Sequence, residues 1–273
     1  MYRSTDRNMF YKLQSKSNVY YASVVIYKSD ELHKVFVGGK KKCVVISVYP
    51  DDPVPNLDAV SFDEQCNEQG DLLRGRGTVD IVKSAMAFVK QLYGFNRFQL
   101  TDKSHITCRK KVQVSLIHFY LAKYQKTWYE DKFNAIPLTI ADYKDKVKRL
   151  RQTLRTKPEW DNFSEEHQVP SNMKAALGKL YNECDNLGIS FKTIANDYDC
   201  YLFKDWLGIF IDKEMGNVYA TKWVIQSVDT VNVEKIQQLP SNVFISDEKP
   251  SLMNLTKEIY GGKQKPLPEG FSV

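Results

Sequence analysis

Gly70-Asp-Leu-Leu-Arg-Gly-Arg-Gly-Thr78 runs straight into an apolar-periodic segment that ends at Gly94, and Asn96-Arg-Phe-Gln-Leu-Thr-Asp-Lys-Ser104 follows. A glycine-rich turn opening onto a helix leaves backbone N–H groups unpaired, with the positive end of the helix dipole behind them. In outline that is a cradle for an anion. Thr78 is the expected N-cap, and Asp80 puts negative charge in the first turn. Val79, Val82, Met86, Val89 and Tyr93 recur at helical spacing, and Ile81, Ala85, Phe88 and Leu92 widen the apolar face until it suits packing on a sheet. Gly94 stops the helix, and Arg97 to Thr101 alternates into a strand.

Working upstream, the start Met1 to Asn8 is polar and unlike a signal peptide. Val19 to Tyr27 is a β-branched and aromatic run that reads as a strand. Lys34 to Val37 and Cys43 to Tyr49 are two strands joined by a turn containing Gly38 and Gly39, an antiparallel hairpin. Pro53 and Pro55 make the next segment a loop, and Leu57 to Phe62 is a short fourth strand. Downstream, Lys110 to Tyr124 begins as a strand and either continues or turns helical near His118. Thr127 caps a short helix with Glu130 and Asp131 in its first turns. Tyr143, Val147, Leu150 and Leu154 mark a charged helix, and a polar connector, Lys157 to Asn172, leads to a helix over Met173 to Leu187 ending at Gly188. Short helices over Phe191 to Asn196 and Tyr201 to Ile211, a late strand over Val218 to Val228 and a Pro/Gly tail from Gly261 complete the chain.

Composition narrows the classes. With 42% apolar and 26% charged residues among 273, the chain is neither disordered nor fibrous and can bury a substantial core. The net charge of +6 is a mild excess, gathered in Lys40-Lys41-Lys42, Arg109-Lys110-Lys111 and Lys146 to Arg155. None of these clusters interleaves with aromatics as a single-strand platform does, so they read as solvated faces and nucleic acid is not an expected partner. Cys43, Cys66, Cys108, Cys184 and Cys200 are widely spaced, without a CxxC pair, and read as reduced thiols of an intracellular protein. No run reaches the length of a membrane span, and no metal-ligand spacing is present.

Arg74 and Gly77 stand at the spacing of the pyrophosphate-binding signature of the GNAT family of N-acetyltransferases, which the segment therefore resembles. In that fold the loop follows a central strand and opens the main helix. The resemblance implies that Arg74, Gly75, Arg76, Gly77 and Thr78 would receive the diphosphate of acetyl-CoA, with Glu64 as base and Tyr129 or Tyr120 as acid. Val79 departs from the signature: a small residue belongs there, and a branched side chain crowds a diphosphate. Each candidate also has a structural alternative: a glycine turn that only lets the loop pack, an acidic loop around Glu64, and core packing for both tyrosines.

The order Gly77-Thr78, helix, Leu100-Thr-Asp-Lys-Ser104, Leu116 to Ala122 and Lys126-Thr-Trp-Tyr-Glu-Asp-Lys-Phe133 is similar to acetyltransferase-like proteins of large nucleocytoplasmic DNA viruses. The fold implied is α+β: a mixed, mainly antiparallel sheet flanked by helices over residues 1–137, an added helical half over 138–260, and the tail 261–273. The function implied is that of a structural or scaffolding component, a minor capsid protein without cofactor, of host cytoplasm and virion, partnered by other capsid proteins or by itself. The alternative is an acetyl-CoA-dependent N-acetyltransferase. Asp102 and Ser104 are expected to form a local side-chain turn rather than part of a hydrolytic triad, and His118 to be a hydrogen-bonded core histidine.

Overall fold

A computed structural model describes residues 3–4, 9–15, 18–107, 113–138, 140–188, 201–226, 232–240 and 243. These fall into two compact units, one up to Thr101 together with the residues from Val224 on, the other Asp102–Trp223. The fold class is α+β, with a large, mostly antiparallel sheet and helices. The expected helix at Phe191 to Asn196, the end of the late strand at Ser227-Val228, and the tail from Gly261 lie outside the described residues.

The first unit is built on β1 (Arg3–Ser4), β2 (Met9–Ser15), β3 (Asn18–Lys28), β4 (His33–Gly38), β5 (Lys42–Val48), β6 (Asn56–Val60), α1 (Arg76–Tyr93) and β7 (Phe98–Thr101). The expected hairpin is there, with Val35 opposite Ile46 and Phe36 opposite Val45. Every residue of β5 is buried, as in a central strand covered on both faces. Val25, Tyr27, Phe36 and Val45 form one core cluster. A parallel pairing, Asn56 beside Gln99, joins β6 to β7 through α1, a crossover that no hairpin can make. Three strands of this unit have no expected counterpart, the shortest being Arg3–Ser4 within the polar start. Met9–Ser15 begins just past the polar start, and β12 (Asn232–Ile236) pairs antiparallel along it with Glu234 opposite Lys12. β12 has few apolar residues and a partner at the other end of the chain, whereas β2, with Met9, Phe10, Tyr11 and Leu13, also pairs with β3 directly after it.

The second unit holds β8 (His105–Thr107) paired with β9 (Gln113–Ser115), then α2 (Leu116–Tyr124), α3 (Trp128–Phe133), β10 (Ile136–Pro137), α4 (Tyr143–Leu154), α5 (Trp160–Glu166), α6 (Ser171–Glu183) and α7 (Tyr201–Met215); β11 (Lys222–Ile225) carries the chain back toward the first. Thr127 and Glu130 close the capping box expected of α3, each side chain bonding the other's backbone N–H at 3.1 Å. The four expected apolar positions of α4 are all buried. Two boundaries are corrected. The connector after Lys157 contains a helix, α5, because Trp160 and Phe163 pack with Tyr181 and escape the polar count around them. The next helix ends at Glu183, not Gly188, where Cys184 turns extended. Asp102 Oδ1 accepts from the backbone N–H of Ser104 at 3.0 Å and from its hydroxyl, the expected local turn. His118 is buried and donates to Asp212 at 3.1 Å, also as expected. No helix among the described residues is long and apolar enough to cross a membrane.

One cysteine expectation fails. Cys43 and Cys66, 23 residues apart, form a disulfide with Cα atoms 5.5 Å apart, while Cys184 is a buried thiol. The loop after β6 folds back across the start of β5 and brings the two together, a long-range closure that spacing alone does not announce. Reducing it removes a constraint on the unfolded chain worth about 3 kcal/mol for a loop of this length. A melting temperature lowered by a phosphine reductant, and unchanged by it in Cys43→Ala/Cys66→Ala, is the expected result.

Candidate functional site

The loop from Ser61 to Gly75 is where sequence and structure both place the unusual chemistry of the first unit. Asp63 opens a short 3-10 turn, Glu64–Cys66, by accepting from Gln65 N at 3.0 Å. Asn67 then folds the chain around itself: its Oδ1 accepts from Gly70 N at 3.0 Å and Asp71 N at 3.2 Å, and its amide donates to Asp71 at 2.8 Å. Leu72 N reaches back to Glu64 O at 3.0 Å. The loop enters α1 through Gly75, whose φ of 77° is positive and cheap only for glycine.

That entry corrects the expected cap. Gly75, not Thr78, is the N-cap; Thr78 lies inside the first turn, buried, and its hydroxyl has no hydrogen-bond partner among the described residues. Asp80 is consequently in the second turn, buried near Tyr20, whose phenol is pushed up first by burial and then by the Asp80 charge. The buried face of α1 is largely the expected one: Ile81, Val82, Ala85, Met86, Phe88 and Val89 are buried, Val79 and Tyr93 half-buried, and Leu92 exposed.

The start of the helix is packed from within: a Cβ placed on Gly77 would meet Leu72 Cδ1 and Cγ at 2.9 Å, so a buried leucine side chain lies against that glycine. Arg74 is half-buried with its guanidinium 5.4 Å from the centroid of the Phe62 ring. One amide at the helix start is committed, Arg76 N to Arg74 O at 3.1 Å, and Val79 N makes the first intrahelical bond, to Gly75 O at 3.0 Å. Arg76 and Glu64 are exposed. Tyr120 and Tyr129 belong to the second unit, both buried, and burial raises both phenols, with the neighbouring Tyr124 and Asp102 respectively adding to it. No family model, curated protein or solved structure matches this chain.

The other constellation was hidden in the sequence. Ser23 on β3, Gly38 on β4 and Lys42 on β5 stand opposite one another across three strands. Gly38 carries no side chain, so the Lys42 ammonium reaches over it and donates to Ser23 Oγ at 2.5 Å and to Gly39 O. Ser23 in turn donates to Glu68 Oε1, and Glu68 Oε2 is buried without a partner among the described residues. Burial holds the Glu68 carboxyl above its ordinary value, against the pull of the Ser23 hydrogen bond and the Lys42 and Lys40 charges. A serine beside a lysine has the makings of a nucleophile and base. All three side chains are at most 4% exposed, however, so no substrate reaches them.

What the trio does is strap the loop to the sheet. Glu68 N donates to Tyr21 O at 2.7 Å, Lys41 N to Gln65 O at 3.0 Å, and Lys41 Nζ pairs with Asp63 at 2.6 Å. With the disulfide, these ties fix residues 63–68 across the β4–β5 turn. The Lys40-Lys41-Lys42 cluster, expected as a solvated face, is thus divided: Lys42 is buried and Lys41 paired. Among the described residues no group of three or more His, Cys, Asp or Glu side chains is arranged for a metal.

Proposed function

We propose that this chain is a structural protein, an acetyltransferase-like unit whose phosphate cradle has been converted into packing and which works by binding protein partners. The observation that carries the reading is Leu72 lying against Gly77 at the start of α1. Three others support it: Arg74 turned onto Phe62, the loop strapped to the sheet by a disulfide and a buried ionic chain, and the burial of both candidate acid phenols. The acetyltransferase-like ancestry is supported by the parallel β6–α1–β7 crossover in a mostly antiparallel sheet. The resemblance to acetyltransferase-like proteins of large DNA viruses supports a role in a virion, as a minor capsid component.

Acetyl-CoA-dependent N-acetyl transfer is the second reading, favoured by the open space at Gly75 and by the exposure of Arg76 and Glu64. Titration calorimetry and thermal shift with acetyl-CoA separate the two. The expected result is no heat and no rise in melting temperature at millimolar ligand. Micromolar binding that is lost in both Gly77→Asp and Arg76→Glu would establish the enzyme reading instead. The virion assignment is tested separately by mass spectrometry of purified particles, and absence of the chain from them overturns it.

A further inference from the structure

Helix α4 carries an uninterrupted basic flank. At about 100° per residue, its buried positions Tyr143, Val147, Leu150 and Leu154 fall on one side, and Lys144, Lys148, Arg151 and, just past the last turn, Arg155 fall together about 100° away from them. All four are exposed, and no ion pair or side-chain hydrogen bond ties any of them to a described residue. The spacing of four, three and four residues puts like charges at i, i+3 and i, i+4, where they repel. Lys144 also stands in the first turn, at the wrong end of the helix dipole for a cation. A helix surface needed only for solubility would mix in acids on this flank. Asp145 lies off it, and Glu214 of α7 meets α4 on the opposite side, at Thr153.

We propose that this flank is a docking surface for the phosphate backbone of duplex nucleic acid, read without regard to sequence. Four cations spread over about 16 Å of helix match a rod that carries a charge every ~1.7 Å of its axis. The choice among polyanions follows from what accompanies the charges. A membrane-surface helix sets apolar side chains beside its basic ones, and every apolar side chain of α4 is buried. A single-strand platform needs aromatic rings between the cations, and the only one in α4, Tyr143, is buried with its hydroxyl on Glu130 at 2.7 Å. Backbone contact with a duplex requires neither.

The test is fluorescence anisotropy of the full chain with a labelled duplex of arbitrary sequence, about twenty base pairs long, between about 50 and 200 mM KCl. Binding is expected to weaken with salt along a log–log slope of about −3.6, the value for four phosphate contacts. Lys144→Gln/Lys148→Gln/Arg151→Gln/Arg155→Gln is expected to lose tenfold or more in affinity at low salt, together with most of that slope. It should also melt at or above the wild-type temperature, since repulsion is relieved and nothing buried is touched. A charge-matched variant elsewhere, Lys90→Gln/Arg97→Gln/Lys103→Gln/Lys179→Gln, should bind as the wild type does. No duplex binding at about 50 mM salt, equal loss in the two variants, or tighter binding to phosphatidylserine vesicles, polyglutamate or single strands than to duplex would each overturn the assignment.

Discussion

Lys42→Met is expected to destabilise the protein by about 3–5 kcal/mol in urea denaturation at neutral pH, the range for removing one partner of a buried charge pair. The ammonium does three things at once: it donates to Ser23, to Gly39 O, and offsets the Glu68 carboxylate through Ser23. Methionine fills the volume and supplies none of these, leaving Ser23 and Glu68 buried in an apolar site. Lys42→Met/Glu68→Gln is expected to recover about 2 kcal/mol of the loss, because a neutral amide still accepts from Ser23 and no buried charge is left. Strict additivity of the two single variants would show that Lys42 and Glu68 do not act as a unit.

The same pair sets a pH dependence whose sign is fixed. Burial raises the folded-state pKa of Glu68 above its ordinary value of 4.5. The native state therefore holds a proton that the unfolded chain has released, and this group's contribution is fully present below about pH 4.5 and is lost as pH rises through the folded value. Removing Lys42 raises that value further. The penalty of Lys42→Met should accordingly be smallest in acid and grow toward neutral pH, and a penalty independent of pH between about 4.5 and 8 would rule out an ionised Glu68 as its cause.

What was legible in the sequence was local. Gly94 ends α1 with a left-handed φ, Thr127 and Glu130 cap α3, and the β4–β5 hairpin declares itself by two apolar runs around glycines, because each signal and its effect lie within a turn of one another. The cradle was legible only as a shape. How the helix start is packed depends on Leu72, whose side chain reads as one more apolar residue until the loop's return through Leu72 N to Glu64 O sets it against Gly77. The strap was not legible at all. Ser23, Lys42 and Glu68 come from three segments, and each has a bland meaning in its own: a small residue in a strand, one of three lysines, one acid in an acidic loop. Cys43 and Cys66 failed for the same reason, and the strand Asn232–Ile236 because its partner lies at the other end of the chain. Chemistry made by long-range register is invisible to spacing.

Among the described glycines, Gly39→Ala is expected to be the most damaging change, costing about 4 kcal/mol or more. A Cβ there would lie 1.9 Å from Asn67 O and 2.1 Å from Asn67 C, and these are backbone atoms that no rotamer change can withdraw. Nor is the strap free to retreat. Asn67 is locked by its own side chain to Gly70 and Asp71, Glu68 N is tied to Tyr21 O, Lys41 N to Gln65 O, and Cys66 to Cys43. The methyl group must therefore break several of these ties together, and with them the approach of Glu68 to Ser23. Limited proteolysis at residues 63–71 and faster reduction of the disulfide should accompany the loss in stability. Gly75→Ala supplies the contrast. Its Cβ meets nothing within 4 Å, so only the positive φ of 77° resists the substitution, at a cost of about 1–3 kcal/mol. If the two variants were equally stable, close approach of the strap to the β4–β5 turn could not be what requires glycine at position 39.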